Sequence, residues 1–165
     1  MLLHRKLIYG GYLFTFCFLL FTLILITTQP ALAQRVDINN VWQKVYQQIP
    51  DLPKENNYLS KETGKVAENN TLVSRLIRYH YYVKGRALNY RLDWKLTLAD
   101  YLGANEIMYD YNYPGNDVLR KNPFEGDRTV ISKLNRRQRD ALVQALVNVF
   151  NPDNQPKPPD TQKLK

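Results

Sequence analysis

Apolar residues recur at helical spacing in several stretches of the chain, and those stretches predict most of its elements. Residues 37–49 carry Ile38, Val41, Trp42, Val45 and Ile49 on one side, with Asp37 as N-cap and Pro50 as the stop. Residues 71–84 repeat the pattern with Leu72, Val73, Leu76, Ile77, His80 and Val83, and place Arg75, Arg78 and Tyr82 on other faces. Thr71 suits the cap of that helix and Gly85 the position just past its end. A short helical turn opens at Asp127 or Thr129 and carries Val130, Ile131 and Leu134. The clearest stripe is Leu142, Val143, Leu146, Val147 and Phe150, preceded by Asn135-Arg136-Arg137-Gln138, which has the form of a capping box.

Residues 90–102 satisfy two patterns at once. Tyr90, Leu92, Trp94, Leu96 and Leu98 alternate with Arg91, Asp93, Lys95 and Thr97, as a strand would. Leu92, Leu96, Ala99 and Leu102 also fit a helix that ends at Gly103, with Asn89 as its cap. A third arrangement lets Thr97 cap a short helix with Asp100 in place of the capping-box acid. We assign helix. Tyr79-His80-Tyr81-Tyr82-Val83 has strand propensity as well, and Lys84-Gly85-Arg86 could turn a hairpin. The expected fold is therefore mainly α, a small helical bundle, with an α+β arrangement containing a hairpin around residues 75–98 as the alternative. Residues 50–70 and 109–122 are rich in Asn, Pro, Gly and Asp and read as irregular connections, the first with a turn near Lys65 to Glu68.

The apolar run at the N-terminus changes where this bundle is expected to reside. Residues 7–28 carry no charge, His4, Arg5 and Lys6 precede them, and Ala31-Leu32-Ala33 follows as an A-x-A cleavage site. Residues 1–33 are thus expected to be a signal peptide. The run exceeds a usual h-region, so a retained anchor over residues 7–28 is the competing expectation. A single domain would span residues 34–150, followed by a disordered Pro-rich tail over 151–165. Cys17, the one cysteine, falls inside the signal, which leaves the domain without disulfide or thiol chemistry.

Charge narrows the partners. Of the 23 Lys and Arg, Arg5 and Lys6 precede Gln34, so the rest of the chain has 21 against 15 Asp and Glu, an excess of six. Such an excess favours an acidic protein, a membrane-associated complex, anionic lipid or a wall polymer, and an exported compartment offers no nucleic acid. The basic residues concentrate in a Tyr-rich block, where Arg75, Arg78, Tyr79, His80, Tyr82, Lys84, Arg86, Arg91 and Trp94 are the expected partner-binding residues. Tyr and Arg make good interface anchors, the one for its amphipathic area and the other for its planar charged fork. Arg136, Arg137 and Arg139 form a second basic patch.

Catalytic candidates are few. His80 is the sole imidazole after the signal, which excludes a multi-His metal site, and no nucleophile elbow accompanies it. It is expected to be a partly buried helix residue, or else a pH-sensitive contact. Asp110, Asn112 and Gly115 echo a calcium loop, but Pro114 and Lys121 occupy positions that need oxygen ligands. No catalytic, cofactor-binding or metal-binding residue is therefore assigned. Glu62, Glu68, Asp93 and Asp100 keep open a glycan-active enzyme that uses a carboxylate pair.

The strings Glu62-Thr63-Gly64-Lys65-Val66 and Arg91-Leu92-Asp93-Trp94-Lys95-Leu96-Thr97-Leu98-Ala99-Asp100-Tyr101-Leu102 resemble those of small exported cyanobacterial proteins of unassigned function. The resemblance covers about residues 52–150 and implies a location, the periplasm or thylakoid lumen. It implies no catalytic residue. The function expected is that of an exported, non-enzymatic binding or accessory protein that docks an acidic protein or membrane-associated complex through the Tyr/Arg block.

Overall fold

The computed structural model describes Ile38 and residues 40–151. The expected signal or anchor, the Asp37 cap and the tail from Pro152 lie outside the described residues. Among the described residues five α-helices follow in order: α1 Trp42–Gln48, α2 Leu72–Arg78, α3 Arg91–Tyr101, α4 Phe124–Lys133 and α5 Arg136–Phe150. Among the described residues there is no strand, so residues 75–98 form no hairpin and the mainly α expectation holds. None of the described helices is long and apolar enough to cross a membrane.

Local chemistry accounts for most of the helix ends. Thr71 accepts from the Ser74 amide to open α2, and the Asn135 and Gln138 capping box opens α5 as expected. α4 starts at Phe124, earlier than the expected Asp127 or Thr129. The Asn122 side chain accepts from the Phe124 amide at 3.1 Å, and the Phe124 ring is buried 5.4 Å from that of Tyr113. α3 begins at Arg91 with Tyr90 in the cap position, so Asn89 caps nothing and Thr97 is a mid-helix residue.

α2 does not simply stop. Its last turn widens into a π turn, Tyr79–Val83, and Gly85 then reverses the chain at φ +61°. The widened turn brings Tyr79 and His80, neighbours in sequence, into the interior together. The connection from Pro50 to Asn70 is irregular but pinned. Leu59 bridges to Val66 and Ser60 to Leu119, with one turn at residues 61–63 and a second at residues 68–69, at the end of the expected stretch.

The core lies where the five helices meet, with Val45, Leu72, Leu76, Ile77, Trp94, Ile131, Leu142 and Leu146 essentially without solvent contact. Burial of side chains of this size stabilises the fold by about 1.5–3 kcal/mol each. α3 and α5 run antiparallel. Trp94 near the start of α3 stacks on Phe150 at the end of α5, while Leu102 just after α3 shares a groove with Arg136 and Arg139 at the start of α5.

Candidate docking face

The Tyr/Arg block divides into an inner and an outer half. Arg75, Tyr79, His80 and Trp94 are buried, so they support the block from within and present no side chain to a partner. Arg75 was expected on an outer face of its helix; a partner 52 positions later draws it in. Its Nε and Nη2 donate to the two carboxylate oxygens of Asp127 at 2.6 Å each. Nη2 also donates to the Glu55 carbonyl at 2.7 Å, and Nη1 reaches Asn70 through its carbonyl and side chain. Tyr113 donates to Asp127 at 2.6 Å and stands 2.8 Å from the Tyr101 hydroxyl. One guanidinium thus joins α2, α4 and the irregular connection. Burial disfavours its charge, but the hydrogen bonds and charge of Asp127 outweigh that, and its pKa is raised.

His80 is equally enclosed. Its Nε2 lies 3.1 Å from the Ala87 carbonyl and must donate to it, which leaves Nδ1 to accept from the Thr97 hydroxyl at 2.8 Å. Arg86 in turn donates to Thr97 at 2.8 Å and to Asp100 at 2.5 Å. Burial, helped by the Arg86 charge, pulls the imidazole pKa down to about 4. The group is therefore neutral near pH 7.

Several cations of the block are already paired. Arg86 and Lys84 share Glu106 at 3.0 and 2.7 Å, and Arg91 lies 4.0 Å from Asp140 and bonds Gln144. Arg78 makes no ion pair among the described residues, and it lines a groove of about 320 Å³ together with Tyr82, Tyr111, Asn112, Pro114, Asn116 and one carboxylate, Asp117. Tyr82 and Tyr111 stand 64% and 69% exposed at this groove. By sequence the loop that supplies Tyr111 has only the character of a connection. Its alternating Tyr109, Tyr111 and Tyr113 were the available signal: Tyr113 is buried, while the two outward rings lie 5.4 Å apart.

The carboxylates considered for glycan cleavage have other engagements or are far from enclosed. Asp100 accepts from Arg86, Asn105 and the Glu106 amide, and Asp93 accepts from the Ala87 amide at 3.2 Å. Glu62 and Glu68 are exposed on the connection before α2. Among the described residues, no cluster of three His, Cys, Asp or Glu could hold a metal ion.

Fold and surface together define a small helical bundle with a tyrosine-lined groove beside Arg78, which has no ion pair among the described residues. Comparison of the chain with protein-family models, with curated proteins and with solved structures found no match.

Proposed function

We propose that the protein is an exported, non-enzymatic binding or accessory protein that docks an acidic protein or a membrane-associated complex through its Tyr/Arg face. The observation that carries this reading is the placement of Tyr82 and Tyr111, both largely exposed, at one groove with Arg78, which has no ion pair among the described residues. Large amphipathic rings beside an unpaired guanidinium are the composition of an interface hot spot. The buried Arg75 and His80 networks hold the backbone on which this face stands. Export rests on the charge-free run of residues 7–28 and the Ala31-Leu32-Ala33 site.

The test is affinity capture of the tagged chain from its native compartment, with Arg78→Glu and Tyr82→Ala/Tyr111→Ala variants beside it. The expected result is a co-purifying acidic partner that salt weakens and that both variants lose while keeping the native thermal transition. Unchanged co-purification with both variants would refute the reading.

A further inference from the structure

α3 is apolar on two sides. Trp94, Leu98 and Tyr101 face the core, and Leu92, Leu96, Ala99 and Leu102 recur at helical spacing on the opposite side. Leu92 is 65% exposed and Leu102 39%, Leu96 and Ala99 are half-buried, and none of the four belongs to the core cluster or packs against it. A helix that met only solvent on that side would carry charges there.

Beside this stripe α3 and α5 leave a notch of about 180 Å³, floored by Ala99, Leu102 and Val143. Its rim holds Lys95, Arg136 and Arg139 against one carboxylate, Asp140. Asp140 is already shared at 3.9 Å with Arg136 and at 4.0 Å with Arg91. Lys95 makes no ion pair among the described residues.

We infer that this notch is a second docking site, independent of the Arg78 groove, and that its occupant is an acidic amphipathic helix of a partner protein. An apolar stripe beside a trough between two helices suits the ridge of a third helix, whose anchors fall at i, i+3, i+4 and i+7. The surplus of cations on the rim selects an occupant with Glu or Asp flanking its apolar ridge. A second copy of this chain would bring Lys95 and Arg139 against their own like charges, which opposes self-association through this face. A flat anionic membrane would reach the projecting Leu92 and leave the concave floor at Val143 unfilled.

The experiment titrates the isotope-labelled full chain with a synthetic helical peptide that has leucines along one stripe and glutamates on both flanks. A peptide of the same composition with the leucines dispersed serves as control, alongside phosphatidylglycerol vesicles and sedimentation of the chain alone. The expected result is saturable binding of the striped peptide, with amide shifts at Leu92, Ala99, Leu102 and Val143. Lys95→Glu and Leu102→Ser should each weaken it roughly tenfold or more, which is about 1.4 kcal/mol of binding free energy. Lys95 is exposed, so its variant keeps the fold and remains informative whatever Leu102→Ser does to stability. Arg78→Glu should leave this titration unchanged, so the notch and the Tyr/Arg groove can fail separately. Equal binding of both peptides, no saturable binding, insensitivity to Lys95→Glu, adsorption to the vesicles in preference to the peptide, or dimerisation through α3 would each overturn the inference.

Discussion

The imidazole of His80 lies flat on the indole of Trp94, with ring centroids 3.6 Å apart and 12° between the planes. The indole also stacks with Phe150, with ring centroids 5.7 Å apart, and its Nε1 donates to the Leu88 carbonyl at 2.8 Å. The π turn after α2, the start of α3 and the end of α5 are therefore clamped by one aromatic stack with a titratable group inside it.

That stack makes stability depend on pH with a definite sign. His80 has a folded-state pKa of about 4, below the roughly 6.5 of an unfolded chain. The unfolded state therefore binds more protons between these values, and the fold loses stability as pH falls from about 6.5 to about 4. The full loss is about 3 kcal/mol. Arg86 opposes protonation while Asp93 and Asp100 favour it, without reversing the direction. Urea midpoints measured across this window should fall more steeply for the native chain than for His80→Gln; parallel curves would show that His80 is not the group responsible.

Arg75 should be worth more to the fold than any exposed arginine. Arg75→Met leaves the Asp127 carboxylate buried beside Tyr113 without its guanidinium, which costs about 3–5 kcal/mol. Asp127→Leu should cost a comparable amount, and Arg75→Met/Asp127→Leu should recover part of the loss, because then no charge is left uncompensated. Chemical denaturation of the three variants checks this. Strict additivity of the two single substitutions in the double variant would contradict a direct pairing.

Two glycines with positive φ should respond differently to alanine. Gly85, at φ +61°, has open space where a Cβ would stand, so Gly85→Ala costs only the left-handed strain of about 1–2 kcal/mol. Gly115, at φ +96°, would place a Cβ 3.1 Å from Leu119, 3.2 Å from Pro123 and 3.3 Å from the Arg75 stem. Gly115→Ala should thus be the more damaging of the two in thermal unfolding, since strain and crowding act together. A larger loss at Gly85 would mean that the Gly115 loop relaxes.

The capping box of α5 gives the simplest local prediction. Asn135→Ala removes the acceptor for the Gln138 amide, 3.0 Å away, and should lower stability by about 1 kcal/mol. Asn135→Asp or Asn135→Ser should restore most of it in the same denaturation assay.

How far these features were legible depended on how local their causes are. The Asn135 box and the stripe from Leu142 to Phe150 depend on residues within a turn or two, and both stand in the structure as expected. The helical nature of residues 91–101 was read from Leu92, Leu96, Ala99 and Leu102, yet those side chains face outward, and the alternating Trp94 and Leu98 that had suggested a strand form its buried side. Two apolar faces on one helix leave periodicity without a unique direction, whereas Arg75, expected on an outer face, turns inward for another reason, its pairing with Asp127 52 positions later. The proposed docking face was legible as far as Arg78 and Tyr82; its other half, Tyr111, comes from a loop that sequence spacing does not relate to α2.

By itself the sequence determined a mainly helical chain, the caps of α2 and α5, the reversal at Gly85 and the excess of positive charge, because each follows from neighbouring residues or from composition. Only the tertiary structure decided that Arg75 pairs with Asp127, that His80 is shut between Trp94 and Thr97, and which cations remain unpaired. Those outcomes turn on the desolvation and pairing of side chains up to 52 positions apart, a free energy that exists only once the helices have packed.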